Sequence, residues 1–289
     1  MILIAQLLYK VFSIFNTMNA FSYCNGEFIP VDHTKIHISD LALLRGYGIF
    51  DFFRVIKGKP VFLEDHLDRF ERGAETMRLV IPESRDQLRE IITELIKLNS
   101  HPLMGIKMIL TGGYSDDGFS LADQANLILT AKPFDFPNLI TGIKLMSYEY
   151  CREVPEVKTL SYITPIRIFP MLAAQGADDF LYFNEGLISE SSRSNVFIVK
   201  DQIVSTPGRN ILPGITRKHI IKACRGNYEV QIRDVTLTET LEADEVFITS
   251  SNQRIIPVCE IDGRIYNNGV IGEVTENLQD LLLQEERMS

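Results

Sequence analysis

The feature that most limits how this chain can fold is PFDFPNL at residues 133–139. It carries two prolines and no hydrophobic period, so no helix or central strand can run through it. Helix and strand signals lie on both sides of it. Before it, FSYCNGEFIPV alternates around Asn25-Gly26, a hairpin signal. GIFDFFRVI reads as a long strand that Gly58-Lys59-Pro60 turns back. In EDHLDRFERGAETMRL, residues Leu67, Phe70, Ala74 and Met77 fall on one helical stripe. A second helix follows Ser84, a plausible N-cap, and GIKMILTGG and ANLILTAKP read as buried strands. After the break come IKLMSYEY (strand), a helix over 164–175, DFLYFN and NVFIVK (strands) and ILPGITRKHIIKAC (a turn into a helix). VFITSS (strand), a hairpin near Asp262-Gly263 and a helix from Glu273 complete the chain. The pattern predicts an α/β (α+β) protein of two domains: a small one over 18–132, a linker at 133–139 and a larger one over 140–289.

Composition narrows the function. Of 289 residues, 45% are hydrophobic and 23% charged, which is globular composition. The net charge is −9 with both signs interspersed, so no basic stripe addresses nucleic acid or an anionic membrane. Cys24, Cys151, Cys224 and Cys259 are far apart and read as reduced thiols of a cytoplasmic protein, not as a disulfide framework or zinc site. Residues 1–17, MILIAQLLYKVFSIFNT, are apolar, but Gln6 and Lys10 interrupt them and the run is short for a membrane span. They read as a non-native or disordered extension, an over-long gene start with Met18 as the true first residue. A frayed helix and a signal peptide are the alternatives.

Three residues suggest one chemistry. Lys158 in EVKTLSY could form an imine. Glu190 in ISESSRSNVF could hold a pyridinium nitrogen charged, and Arg69 in HLDRF could hold a phosphate. Together they describe a pyridoxal 5′-phosphate (PLP) site. Each has a blander reading: a lysine snorkelling over its neighbours, a solvated turn, and an arginine paired with Asp68 or Glu71. ILPGITRKHII adds an anion signal, because the amides of Ile215 and Thr216 open a helix after Gly214. Thr249, Ser250, Ser251 and Asn252 follow a strand and could complete a phosphate cup. Gly46-Tyr47-Gly48 lacks the third glycine of a dinucleotide fingerprint, since Asp51 stands there. His33 and His37 read as structural or exposed, and Asp116-Asp117-Gly118 as a turn. No metal motif is present.

The ordered set GIFDFFRV, HLDRF, EVKTLSY, ESSRSN, ILPGITR and FITSS resembles the fold-type IV PLP enzymes, or class IV aminotransferases. That group includes branched-chain and D-amino acid aminotransferases and 4-amino-4-deoxychorismate lyases. The resemblance spans residues 20 to about 285. It implies that Lys158 is the Schiff-base lysine, Glu190 the carboxylate on the pyridine nitrogen and Arg69 the phosphate arginine. It implies that Ile215 and Thr216 give backbone amides to the phosphate, Ser251 a hydroxyl with Asn252 beside it, and Phe50 an aromatic wall of the substrate pocket. It also implies a homodimer acting on an amino acid and a 2-oxo acid. Three departures bear on substrate. Asp51 stands where the family usually has Glu. Asp117 and Phe119 stand where D-amino acid enzymes carry an arginine and a histidine. Arg45 stands where branched-chain enzymes favour tyrosine, whereas Arg54 matches an arginine of their motif. A substrate carboxylate still needs a cation, so Arg45 and Arg193 are expected to clamp it, with Arg54 supporting the pocket wall. The expected function is amino transfer. A lyase of the same superfamily and an inactive small-molecule-binding scaffold are the alternatives.

Overall fold

The computed structural model describes residues 20–136 and 142–289. The reading of residues 1–17, and of the linker's last three residues, lies outside the described residues. The chain divides into two compact units, Met1–Asp135 with Thr159–Ser161, and Phe136–Lys158 with Tyr162–Ser289.

The first unit is built on six strands: β1 (Phe21–Cys24), β2 (Glu27–Pro30), β3 (Gly48–Ile56), β4 (Lys59–Pro60), β5 (Leu103–Thr111) and β6 (Leu127–Pro133), in the order β2-β1-β6-β5-β3-β4. Every pairing is antiparallel. The β1–β2 turn is at Asn25-Gly26, both at positive φ. Among the described residues, three helices accompany the sheet: α1 (Leu41–Arg45), α2 (Leu63–Thr76) and α3 (Arg85–Leu98). α1 precedes the glycine-containing turn that leads into β3. Asp40 caps the helix, its Oδ1 accepting from the Ala42 amide at 2.7 Å. Ser84 caps α3 in a reciprocal box with Gln87, satisfying amides that the helix cannot. Leu67, Phe70 and Ala74 of α2 and Leu88, Ile92 and Leu95 of α3 are buried, as are Phe53, Val55, Ile106, Met108, Leu110 and Leu129 of the sheet.

Strand alternation sorts the side chains of β3. Ile49, Asp51, Phe53 and Val55 share one face, which α2 meets. Phe50, Phe52 and Arg54 share the other.

The second unit has nine strands: β7 (Ile143–Glu149), β8 (Asp179–Asn184), β9 (Leu187–Ser191), β10 (Asn195–Lys200), β11 (Ile203–Pro207), β12 (Glu229–Arg233), β13 (Glu245–Ser250), β14 (Arg254–Ile261) and β15 (Arg264–Ile265). They run β12-β11-β10-β13-β14-β7-β8-β9, with β15 on β14. One further pairing, Glu190 with Asn195, joins β9 to β10. It closes β10, β13, β14, β7, β8 and β9 into a ring. Ile143, Leu145, Leu181, Val196, Ile198, Val246, Ile248, Ile256 and Val258 form its main apolar cluster. Among the described residues, four helices accompany the strands: α4 (Ile163–Gln175), α5 (Ile215–Cys224), α6 (Leu237–Leu241) and α7 (Glu273–Met288). α4 packs Ile168 and Leu172 against Phe180 and Tyr182 of β8.

Candidate active site

In the second unit, three chain segments converge on Glu190. Glu190 lies in β9 and is 5% exposed. Its Oε1 accepts from Arg152 Nη1 at 3.0 Å. Its Oε2 accepts from the Leu212 amide at 2.9 Å and from Asn195 Nδ2 at 3.4 Å. Burial raises the Glu190 pKa. The Arg152 guanidinium, the Leu212 amide and the charge of Lys158 oppose that shift without cancelling it. The side chain is thus a buried carboxyl group whose ionised form is favoured by each cation placed beside it.

Arg152 links Glu190 to the segment carrying Lys158. The same guanidinium donates to Pro155 O at 2.8 Å and, through Nη2, to Val157 O at 2.5 Å. Two carbonyls just before Lys158 are thus fixed by the cation that grips Glu190. Sequence reading gave Arg152 no role; the available signal was an arginine six residues ahead of Lys158. Arg152→Ala is expected to lower kcat on the order of 10²-fold by letting the lysine drift. Arg152→Lys should not restore it, because an ammonium lacks the planar fork that reaches three acceptors. Steady-state kinetics of the two variants check this.

The turn before α5 is the third segment. Gly214 offers no side chain to cap the helix. The amides of Ile215 and Thr216 therefore stand at a positive helix end with no acceptor among the described residues. Glycine is required at 214 by proximity: a β carbon there would lie 1.9 Å from Asn195 Oδ1. Ser251 and Asn252 sit in the turn after β13, both half-buried. The Asn252 side chain is engaged, accepting from Ser250 Oγ at 2.7 Å. Thr249 Oγ1, just before them, is buried with no partner among the described residues. Arg193 is exposed.

In the first unit, Arg69 is buried and bound to Asp51, not to Asp68 or Glu71. Its Nε donates to Oδ2 and its Nη2 to Oδ1, both at 2.8 Å. His66 Nδ1 lies 2.6 Å from the same Oδ1. Asp68 and Glu71 are instead taken by Arg85. Burial would raise the Asp51 pKa, but Arg69 and His66 overturn it and hold the carboxyl well below the usual range. Phe50 is half-buried and Arg54 is 2% exposed. Lys107, also without a role in the sequence reading, places its ammonium 4.8 Å from the Phe50 ring centroid. Its pKa is lowered by burial and then by Lys132. Arg45 is exposed, its Nη1 donating to the Leu44 carbonyl. Asp117 is committed to its own loop. Its carboxylate accepts from the amides of Phe119 and Ser120 and the hydroxyls of Ser115 and Ser120. Phe119 is 83% exposed.

The family model "Amino-transferase class IV" matches residues 48–261, nearly three quarters of the chain. The chain belongs to the class IV aminotransferases. It is accordingly a PLP-dependent transaminase. A Methanocaldococcus jannaschii protein, provisionally named a branched-chain-amino-acid aminotransferase, is 31% identical over 89% of this chain and 93% of its own length. The D-alanine aminotransferase of Staphylococcus haemolyticus is 30% identical over 89% of this chain and 95% of its own. Among solved structures, the branched-chain amino acid aminotransferase from Escherichia coli aligns with a TM-score of 0.84 at 26% identity. The alignment covers 91% of this chain and 92% of that one.

The donor set of the second unit suits the family's cofactor. A desolvated carboxylate matches a protonated ring nitrogen. Unsatisfied amides at a helix N-terminus match a phosphate, and the charge of Lys158 reaches the carboxylate.

Proposed function

We propose that this class IV aminotransferase moves amino groups between branched-chain L-amino acids and a 2-oxo acid, with Lys158 as the reacting amine. The array joining Glu190, Arg152 and the Lys158 segment carries the assignment of Lys158. When bound, PLP supplies the electron sink that lets a Cα proton leave. Lys158 would take that proton and return it on the far side of the nitrogen, two atoms away. Glu190 would hold a proton on the ring nitrogen, while Arg152 offsets part of the effect of burial on Glu190 and fixes the Lys158 segment. The amides of Ile215 and Thr216, and with them Ser251 and Asn252, would hold the phosphate. Arg69 is proposed as a further phosphate ligand on the family resemblance.

The loop around Asp117 supports a branched-chain substrate over a D-amino acid. Where D-amino acid enzymes place an arginine and a histidine, this chain has a carboxylate that ties up its own turn and an exposed phenylalanine. Phe50 and Arg54 are proposed as pocket wall. Arg45 in the first unit and Arg193 in the second are each proposed as a carboxylate-binding cation. The D-alanine enzymes among the relatives keep D-alanine as the second reading. Single half-reactions with L-leucine, L-isoleucine, L-valine and D-alanine decide between the two, followed by the change in the cofactor's absorbance. Faster conversion of the L-amino acids is expected, and a preference for D-alanine would reverse the assignment. Pyruvate release from aminodeoxychorismate without amino transfer would point to a lyase instead. Repeating the panel with Arg45→Ala and Arg193→Ala reads their part in KM. Unchanged KM in both variants would remove them from the site. We also read the protein as a homodimer, as the resemblance implies, with light scattering as the check. Among the described residues no helix is long and apolar enough to cross a membrane. Four unpaired cysteines support a cytoplasmic setting.

A further inference from the structure

Asn195 contacts Glu190, the turn before α5 and the end of β13. Its backbone pairs with Glu190 on one side and with Thr249 on the other. Its Nδ2 donates to Leu212 O at 2.8 Å and reaches Glu190 Oε2 at 3.4 Å. Leu212 closes the circuit by donating its own amide to that Oε2. The Asn195 Oδ1 edge occupies the space that a side chain at 214 would need. Asn195 is 4% exposed, so water does not compete for these bonds.

We propose that Asn195 is a positioning residue that sets the spacing between the Glu190 carboxylate and the phosphate-binding turn at 212–216. This rests on the reading of Glu190 and that turn given above. The argument is one of span. In pyridoxal phosphate a short covalent linker confines the separation of ring nitrogen and phosphate to a narrow range. Both ends are gripped at full strength only if their protein partners are held at the matching distance before binding. Strand pairing fixes Glu190, but a turn is soft unless something ties it down. The amide of Asn195 ties it, through Leu212, to the carboxylate itself. Loss of that tie leaves each end able to bind alone but not both at once.

The experiment compares three ligands on the apoprotein: PLP, pyridoxal and inorganic phosphate, the last as a competitor of PLP. Wild type is measured beside Asn195→Ala and Asn195→Ser. Serine removes the amide donor without adding a charge beside Glu190 Oε2, so it provides a second variant should alanine disturb the strand. Both variants should weaken PLP by about tenfold or more, the scale of one hydrogen bond to a charged group. Pyridoxal and phosphate should each change by less than about threefold, because each uses only one end. The inference is overturned if all three ligands weaken together, which would make Asn195 a prop for the turn, or if PLP is unaffected. Should wild type hold pyridoxal as tightly as PLP, the site reading fails too, and that result is visible before any variant is compared.

Discussion

Lys158→Ala is expected to end transamination, with kcat falling on the order of 10⁴-fold or more, since both the reacting amine and the proton carrier are lost. Three other lysines of the second unit are poor substitutes. Lys144, Lys200 and Lys222 are each about half exposed or more and held by Glu260, Asp244 and Glu285. Those partners raise the pKa of Lys144 and of Lys200, which keeps them protonated and unreactive near neutral pH. Lys158 differs in following a segment locked by Arg152 and in lying close enough to Glu190 to stabilise its charge. The variant should still fold, because Lys158 is only half-buried. Circular dichroism should match wild type while the half-reaction with L-leucine is lost. Retained turnover would place the chemistry on another residue.

The second large effect concerns the first unit. Asp51→Asn is expected to cost about 3–5 kcal/mol of stability, because it leaves the Arg69 guanidinium buried without its counter-charge. Asp51 is 1% exposed and Arg69 6%, so solvent cannot substitute. The pH dependence follows from the sign of the shift. Folding depresses the Asp51 pKa. The stabilisation it brings is therefore present above the unfolded value of about 3.9 and is lost as pH falls through the lower folded value. The gap between wild type and Asp51→Asn should be full at pH 7 and narrow below about pH 4. Urea unfolding followed by circular dichroism at several pH values measures it; the chain has no tryptophan to report by fluorescence. A gap that grows toward acid would contradict the ion-pair account.

Much of the local structure was legible because its causes are local. Asn25-Gly26 turns a hairpin, Ser84 caps a helix, and the stripe at Leu67, Phe70 and Ala74 is buried, each as its neighbours in sequence dictate. The mixed fold class followed from those elements. The surroundings of Glu190 were not legible. ESSRSN is polar and reads as a solvated turn, yet residues 189–191 lie in a buried strand. Their side chains find distant partners: Ser189 Oγ meets Tyr182 O, and Ser191 Oγ meets Asp179. A buried polar run is stable only with such long-range hydrogen bonds, and no local pattern announces them. The same holds for Arg69. Its helix neighbours Asp68 and Glu71 looked like its partners, but Arg85 of the next helix takes both, and Arg69 turns to β3. Arg152, Lys107 and Asn195 escaped notice for a related reason. Each acts through contacts set by tertiary position, and as single residues they resemble any charged or amide side chain.

The most direct measurement is chemical. PLP-loaded protein is reduced with borohydride and digested, and its peptides are examined by mass spectrometry. The account predicts the mass of a reduced phosphopyridoxyl group on the peptide containing Lys158 and on no other. A label on a different lysine, or no label, would contradict it.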